Sequence, residues 1–168
     1  TSPTWSTSTA VANSTGANYT YTFTTNSTST LNTVTMTVPS GTTGTPTVGT
    51  VTPGNVSTGG AVSLSGTTLT YTFPSATIAA GTALSIQLNG LQNTAIVGTY
   101  SSSIATKNGA TSIDTGTTPS VAITGGTLVG PTWATSNTTD NVVANYTYVF
   151  TTNSTSTLSS VTMSVPTG

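Results

Sequence analysis

Apolar and polar side chains alternate along much of this chain with a period of two residues. Tyr19, Tyr21 and Phe23 alternate with threonines, and three further segments repeat the pattern. Their apolar members are Val34, Met36 and Val38, then Leu69, Tyr71 and Phe73, then Leu84, Ile86 and Leu88. Because successive side chains of a strand point to opposite faces, the pattern predicts half-buried antiparallel strands with hydroxyl-bearing outer faces.

Turn residues separate these segments and indicate how many strands there are. Ser65-Gly66-Thr67 lies between two alternating runs, and Asn108-Gly109 is a strong hairpin signal. The sequence predicts eight or nine strands, near residues 4–11, 17–25, 32–38, 45–52, 61–65, 68–74, 82–89, 98–107 and 119–124. The best candidate for a helical turn is 75–83, although Gly81 would interrupt it. The predicted fold class is all-β, an Ig-like antiparallel β-sandwich.

A long internal repeat divides the chain. Residues 18–38 and 145–165 are identical at 17 of 21 positions, at an offset of 127. Upstream, Pro3-Thr4-Trp5 matches Pro131-Thr132-Trp133 at an offset of 128. A period of this length is typical of a sandwich domain rather than of a solenoid. We therefore predict a complete repeat at 1–128 and the N-terminal part of a second, homologous repeat at 129–168.

Charge is nearly absent, which argues against several classes of function. Only Lys107, Asp114 and Asp140 are charged, whereas 70 of the 168 residues are Ser or Thr. General acid–base catalysis and hydroxyl activation both need proton-transferring groups, so we predict that the protein is not an enzyme. Phosphate neutralisation by one lysine is inadequate for nucleic-acid binding. With no Cys or His and two carboxylates, no metal site or other cofactor is expected.

Two further absences in the sequence bear on location. No apolar run is long enough for a transmembrane helix, so we expect no membrane span in this segment. No basic and apolar leader stands at its start, so an exported protein would be represented here by its mature part.

The order of these strands resembles the Ig-like tandem repeats of prokaryotic cell-surface proteins. The resemblance rests on the Tyr-Thr-Tyr-Thr-Phe and Val-Thr-Met-Thr-Val-Pro strands, on 78–82 (IAAGT) leading into 84–88 (LSIQL), and on 98–100 (GTY). Such repeats occur in fibrillar adhesins, S-layer-associated proteins and extracellular filaments. The resemblance implies an extracellular, load-bearing or spacer role, and it brings no catalytic residues.

The second repeat carries an apolar face that its own residues are too few to bury. On this candidate strand-complementation face we place Tyr146, Tyr148, Phe150, Val161, Met163 and Val165. Open strand edges beside an exposed apolar face favour pairing with further strands. Either a longer array of repeats covers this face, or another subunit does, as the resemblance to strand-exchanging filaments implies. The two alternatives are compatible.

Seven Asn-x-Ser/Thr sequons are candidate N-glycosylation sites, and attached sugars would supply the solubility that charge usually gives. They are Asn13, Asn18, Asn26, Asn55, Asn137, Asn145 and Asn153. The abundance of Ser and Thr would produce nearly as many sequons by chance, so both interpretations stay open.

The sequence thus predicts a structural component of an extracellular filament, sheath or surface layer. The expected partners are copies of the chain or neighbouring repeats. The alternative is an adhesin module that binds carbohydrate or another cell-surface component through Tyr and Trp side chains. Trp5 and Trp133 could stack on a sugar, although packing at the edge of the core is the favoured interpretation.

Overall fold

The computed structural model describes residues 2–165, and strands dominate this part of the chain. The described range contains one helical turn, α1 (Gly54–Ser57). The strands are β1 (Thr4–Thr7), β2 (Ala17–Thr24), β3 (Ser29–Thr37), β4 (Thr43–Thr52), β5 (Ala61–Ser65), β6 (Thr68–Ile78), β7 (Ala83–Gln92), β8 (Gly98–Tyr100), β9 (Ser103–Asn108), β10 (Thr111–Thr117), β11 (Val121–Ile123), β12 (Val129–Thr135) and β13 (Tyr146–Thr151).

Two antiparallel sheets face each other in the first 117 residues. One sheet has the strand order β1-β2-β7-β4, and the other has the order β10-β9-β3-β6-β5. A short pair, β11-β8, adjoins them, while β12 and β13 form a separate hairpin. The prediction of an all-β antiparallel sandwich is confirmed.

The core between the two sheets is built from the alternating apolar positions. All twelve apolar residues of the four alternating segments are buried, and Tyr19, Tyr21, Val34, Met36, Leu69 and Tyr71 are fully inaccessible. Trp5 joins the same cluster and is 4% exposed. Burial of one large apolar side chain stabilises a fold by roughly 1.5–3 kcal/mol. This core therefore accounts for the sandwich without charge, metal or disulfide.

The outer faces carry threonines opposite one another. Thr33, Thr35 and Thr37 of β3 face Thr72, Thr70 and Thr68 of β6. Threonine suits such positions because its branched side chain fits a pleated, half-exposed surface. The hydroxyl-rich composition thus belongs to ordered strands.

A register shift extends β6 beyond its predicted end. The β3–β6 ladder slips between Leu31 and Thr33, so that Leu31 and Val34 are both buried although they are three residues apart. Pro74 lies opposite this slip, where a missing N–H is tolerated. The strand then continues to Ile78. The predicted helical turn within 75–83 is therefore wrong.

Three other elements differ from the sequence-based expectation. The helical turn is α1, where Val56 is fully buried and its carbonyl accepts a 2.6 Å hydrogen bond from the Tyr71 hydroxyl. The predicted strand 98–107 divides at Ser101-Ser102, because Ser102 Oγ donates to Thr37 O (2.7 Å) and its amide donates to Thr118. The edge strand β10 was not predicted, because apolar and polar side chains do not clearly alternate along it.

Candidate interaction surfaces

The β12–β13 hairpin reproduces the pairing of β1 and β2. Trp133 pairs with Tyr148 as Trp5 pairs with Tyr21. The ring centroids of Trp133 and Tyr148 are 6.5 Å apart, and those of Trp5 and Tyr21 are 6.3 Å apart. The repeat in sequence is therefore also a repeat in register and aromatic packing.

Hydrogen bonds at the end of each hairpin repeat as well. The Ser8 amide donates to Asn18 O (2.9 Å), and the Ser136 amide donates to Asn145 O (2.9 Å). The amides of Asn18 and Asn145 in turn donate to the hydroxyls of Ser8 and Ser136, at 3.0 and 2.8 Å. The one-residue difference between the two offsets falls in the loop that these bonds enclose.

The two hairpins differ in how deeply their aromatic side chains are buried. Trp133 is 51% exposed and Tyr146 is 45% exposed, whereas their counterparts Trp5 and Tyr19 are buried at 4% and 0%. We use the name open face for the six predicted complementation residues. Of these, Tyr146, Val161, Met163 and Val165 are exposed, whereas Tyr148 and Phe150 are half-buried.

The complete repeat indicates what the open face lacks. Tyr19, Tyr21 and Phe23 of β2 lie opposite Leu88, Ile86 and Leu84 of β7. Within residues 2–165 no strand pairs with the corresponding edge of β13, and residues 156–165, which match β3, form no strand. One bond, from the Tyr148 hydroxyl to Ser164 O (2.9 Å), holds the segment near β13. The hairpin is thus preformed, with its apolar face and one edge free.

A loop of the second repeat contacts the first repeat. Thr155 forms a parallel bridge with Ile96. The Val97 amide donates to Thr155 O (3.0 Å), and the Thr155 amide donates to Ala95 O (2.6 Å). Beside the bridge, Asn13 Nδ2 donates to Asn153 Oδ1 (3.2 Å). We call this contact the junction.

The seven sequons occupy different settings. Asn13, Asn26, Asn55, Asn137 and Asn145 are exposed, while Asn18 and Asn153 are half-buried. Two of them, Asn13 and Asn153, meet in the junction, where an attached glycan would have to fit between the repeats. The exposed sequons away from the junction are therefore better placed for modification.

A buried polar cluster near the junction was not predicted from the sequence. Asn93 is 1% exposed, and its Oδ1 accepts a 2.8 Å bond from the Tyr19 hydroxyl. Its Nδ2 donates to the carbonyls of Thr9 (2.7 Å) and Val11 (2.9 Å). Asn93 thereby fixes the β1–β2 loop against the end of β7. Only its place after an apolar strand could have signalled this role.

The buried tyrosines carry the clear pKa shifts of this fold. Burial raises the pKa of the Tyr19 and Tyr71 hydroxyls above the ordinary value. For Tyr21, burial and then the proximity of Tyr19 raise the pKa strongly. The nearby Ser102 side chain lowers the pKa of Tyr21 in part, although no hydrogen bond of good geometry joins it to the Tyr21 hydroxyl. All three groups stay neutral in the folded protein at ordinary pH.

The few charged groups are scattered. Asp114 Oδ2 accepts bonds from the amides of Asn26 (3.2 Å) and Ser27 (3.4 Å), which gives this carboxylate a role in holding a loop. Lys107 lies in β9, paired with Thr33 of β3 and Ser112 of β10. In the described part of the chain, no group of three or more His, Cys, Asp or Glu residues could hold a metal ion. Nor does any helix there have the length and apolar character needed to cross a membrane.

Comparison with known proteins gives no further assignment: no protein-family model, curated protein or solved structure matches this chain.

Proposed function

We propose that the protein is a structural component of an extracellular filament, sheath or surface layer assembled from β-sandwich repeats. The observation that supports this proposal is the β12–β13 hairpin, which has the register of β1–β2 but leaves its apolar face in solvent. A preformed hairpin of this kind needs further strands to become a sandwich. Assembly is the function that such a surface serves best.

The complete repeat provides the pattern for the missing strands. In it, the edge of β2 is occupied by β7, whose Leu84, Ile86 and Leu88 point into the core. A covering strand with the same alternation would pair with β13 and bury Tyr146, Tyr148 and Phe150. It can come from a further part of the same polypeptide or from another copy. Both sources produce a linear series of sandwiches.

The outer surface agrees with a mechanical role outside the cell. Hydroxyl side chains cover the strands, and the charged groups are a single lysine and two aspartates. Such a surface offers few side chains that could transfer protons in catalysis. Trp5, one of the two candidate sugar-stacking residues, is buried in the core and is unavailable to a ligand. We therefore favour assembly over adhesion.

Electron microscopy of the purified 1–168 chain, with light scattering for mass, tests the proposal. We expect ordered assemblies, because the open face gains burial only by contact with other strands. Met163→Asp should prevent assembly, since it places a charge on that face. Thr162→Asp, one residue away and on the opposite side of the strand that the match to β3 implies on assembly, is the matched control and should assemble normally. A stable 16.6 kDa monomer at all concentrations would contradict assembly between copies and leave a further part of the same polypeptide as the source of the covering strand.

A further inference from the structure

The first repeat contains a turn that binds an asparagine side chain. We call residues 7–13, directly after the start of the chain's first hairpin, the first anchor turn. Asn93 reaches it from the end of β7, and its Nδ2 donates to Thr9 O (2.7 Å) and Val11 O (2.9 Å). Asn93 Oδ1 accepts from the Tyr19 hydroxyl (2.8 Å). The turn and the tyrosine thus recognise both ends of the asparagine amide.

The second repeat contains the same turn at residues 135–141, which we call the second anchor turn. The Thr135 hydroxyl donates to Asn137 O (2.8 Å), and the corresponding bond of the first repeat is also 2.8 Å. The Thr139 amide donates to Asn137 Oδ1 (2.8 Å), as its counterpart donates to a threonine hydroxyl (3.4 Å). Asn141 has a φ of +57°, and its counterpart has a φ of +61°. The backbone of the turn is therefore preformed.

The side chains of the two turns differ, but the groups that bind Asn93 are common to both. Residues 137–140 read NTTD where the first repeat has TAVA. The carbonyls of Asn137 and Thr139 correspond to the two that Asn93 contacts, and a carbonyl is present whatever the side chain. Asp140 is exposed, and the amide of its counterpart donates to the segment after β11, not to β7. The substitutions therefore leave the asparagine-binding groups in place.

These groups meet in a hollow at the end of the open face. The hollow lies between the second anchor turn, Trp133 and Tyr146, which is the counterpart of Tyr19. The Trp133 and Tyr146 ring centroids are 5.6 Å apart, compared with 5.1 Å in the first repeat. Among residues 2–165, the Tyr146 hydroxyl and the Thr139 carbonyl take part in no hydrogen bond. Asn137 O accepts one bond, from a hydroxyl, and its counterpart accepts such a bond together with that of Asn93.

The first repeat also shows which strand completes such a site. Leu84, Ile86 and Leu88 of β7 cover the aromatic residues of β2, and Asn93 follows five residues after the last of them. The corresponding edge of β13 is unpaired in the described chain. Strand β7 of a folded copy is not available to it, because β2 and β4 flank that strand. The occupant is therefore a strand that is not yet part of a sandwich.

We propose that the second anchor turn and Tyr146 form an asparagine-specific site for an unpaired polypeptide strand with the side-chain pattern of β7. The strand pairs with β13, and its asparagine, five residues after three alternating apolar side chains, donates to Asn137 O and Thr139 O and accepts from the Tyr146 hydroxyl. This contact rests on the proposed function and names the feature by which a covering strand is recognised. Apolar alternation is common to many strands, and a slip of one residue would turn it to the wrong face. The asparagine therefore fixes both the identity and the register of the partner.

The first experiment measures the affinity of a synthetic peptide, 82–94 (TALSIQLNGLQNT), for the 1–168 chain at a dilution where light scattering gives a monomer. Fluorescence anisotropy of the labelled peptide should show saturable binding. Asn93→Ala in the peptide removes three hydrogen bonds and should weaken binding at least about tenfold. Gln87→Ala, which shortens a side chain on the outer face of the same strand, is the matched control and should bind within about twofold.

A variant of the chain tests the same bonds from the other side. Tyr146→Phe removes the hydroxyl from an exposed ring, so the first repeat is left intact. It should weaken binding of the unmodified peptide about fivefold, as expected for one hydrogen bond. It should not weaken binding of the Asn93→Ala peptide further, because that peptide has no amide for the hydroxyl to contact.

The second experiment tests the register through disulfide formation, which is unambiguous because the chain has no cysteine. In the first repeat Gln87 pairs with Thr20, whose counterpart at the offset of 127 is Thr147. A chain with Thr147→Cys should therefore link to a peptide with Gln87→Cys, since paired residues lie about 5 Å apart. A peptide with Ala83→Cys is the control. Its cysteine lies four residues away, or about 13 Å, and should link several-fold less.

The outcomes separate this site from the proposed function. Equal affinities of the unmodified and Asn93→Ala peptides would overturn the asparagine site, as would equal disulfide yields from the two cysteine peptides. Assembly of the chain that an excess of the unmodified peptide fails to inhibit would leave the proposed function standing and refute this site. Asparagine-dependent binding by a chain that never assembles would support the site and count against assembly between copies.

Discussion

The amide of Asn93 offers the sharpest test of how this fold is held together. Asn93→Asp keeps the size of the side chain but replaces the nitrogen that donates to Thr9 O and Val11 O. Thr9 O keeps the bond from Thr7 Oγ1 (2.8 Å) and Val11 O keeps the bond from the Ser14 amide (3.4 Å), but both carbonyls lose the Asn93 amide and face a carboxylate oxygen. Each lost hydrogen bond costs about 0.5–1.5 kcal/mol, and burial of the new carboxylate beside two carbonyl oxygens adds to the two losses. We expect a loss of about 3–4 kcal/mol in the free energy of unfolding, a large share of the roughly 5–15 kcal/mol typical of a domain.

Urea unfolding followed by circular dichroism measures this loss. The midpoint should fall with little change in the denaturant slope, because the surface exposed on unfolding is nearly the same. At about pH 3.5 the penalty should shrink, since a protonated carboxyl can again donate one hydrogen bond. Gln87→Glu is the matched control, because it makes the same chemical change at a half-buried side chain on the outer face of β7. It should cost less than about 1 kcal/mol.

A loss below about 0.5 kcal/mol for Asn93→Asp would refute the reasoning. It would mean that the β1–β2 loop reorganises freely or that water replaces the amide. An equal loss in both variants would show that added charge, rather than the two lost bonds, determines the effect.

Three other outcomes are expected. Because Tyr19 and Tyr21 have raised pKa values in the fold, stability present below pH 10 should fall above it by up to about 1.4 kcal/mol per pH unit for each, whereas an unchanged unfolding midpoint at pH 11 would contradict this. At a dilution where light scattering gives a monomer, Trp5→Ala should cost about 3–5 kcal/mol but Trp133→Ala less than about 1 kcal/mol, and similar losses by calorimetry would contradict the difference in burial between the two side chains. Gly44→Ala should lower the unfolding midpoint sharply, because a Cβ there would lie 2.5 Å from Gly90 O at a φ of +110°, and a normal midpoint would exclude that close approach.

Local alternation was sufficient to predict the core strands. Tyr19 to Phe23 and Leu84 to Leu88 keep a strict period of two, and both segments are buried as expected. The end of β6 was predicted wrongly because the alternation of its partner strand β3 is interrupted by a register shift. The register shift near Leu31 depends on a partner strand more than 40 residues away, so no local pattern reveals that β6 runs on to Ile78.

The interaction surfaces were predictable only in part. The repeat identified the apolar residues of the open face, because their counterparts follow the same alternation. It did not reveal the junction, since Ala95–Val97 is an irregular segment whose backbone forms the contact. Backbone donors and acceptors are common to nearly all residues, so their use leaves no mark in the sequence.

The scarcity of charge has a consequence for survival among secreted proteases. A protease that selects basic side chains finds one candidate peptide bond in the whole chain, after Lys107. That residue lies in β9, with β3 paired on one side and β10 on the other. Cleavage needs an extended segment freed from its neighbours, and this bond is the last of β9, directly before the turn into the edge strand β10, so that end of the hairpin has to open. The replacement of charged side chains by hydroxyls thus leaves such an enzyme one possible cleavage site, at the end of a paired strand.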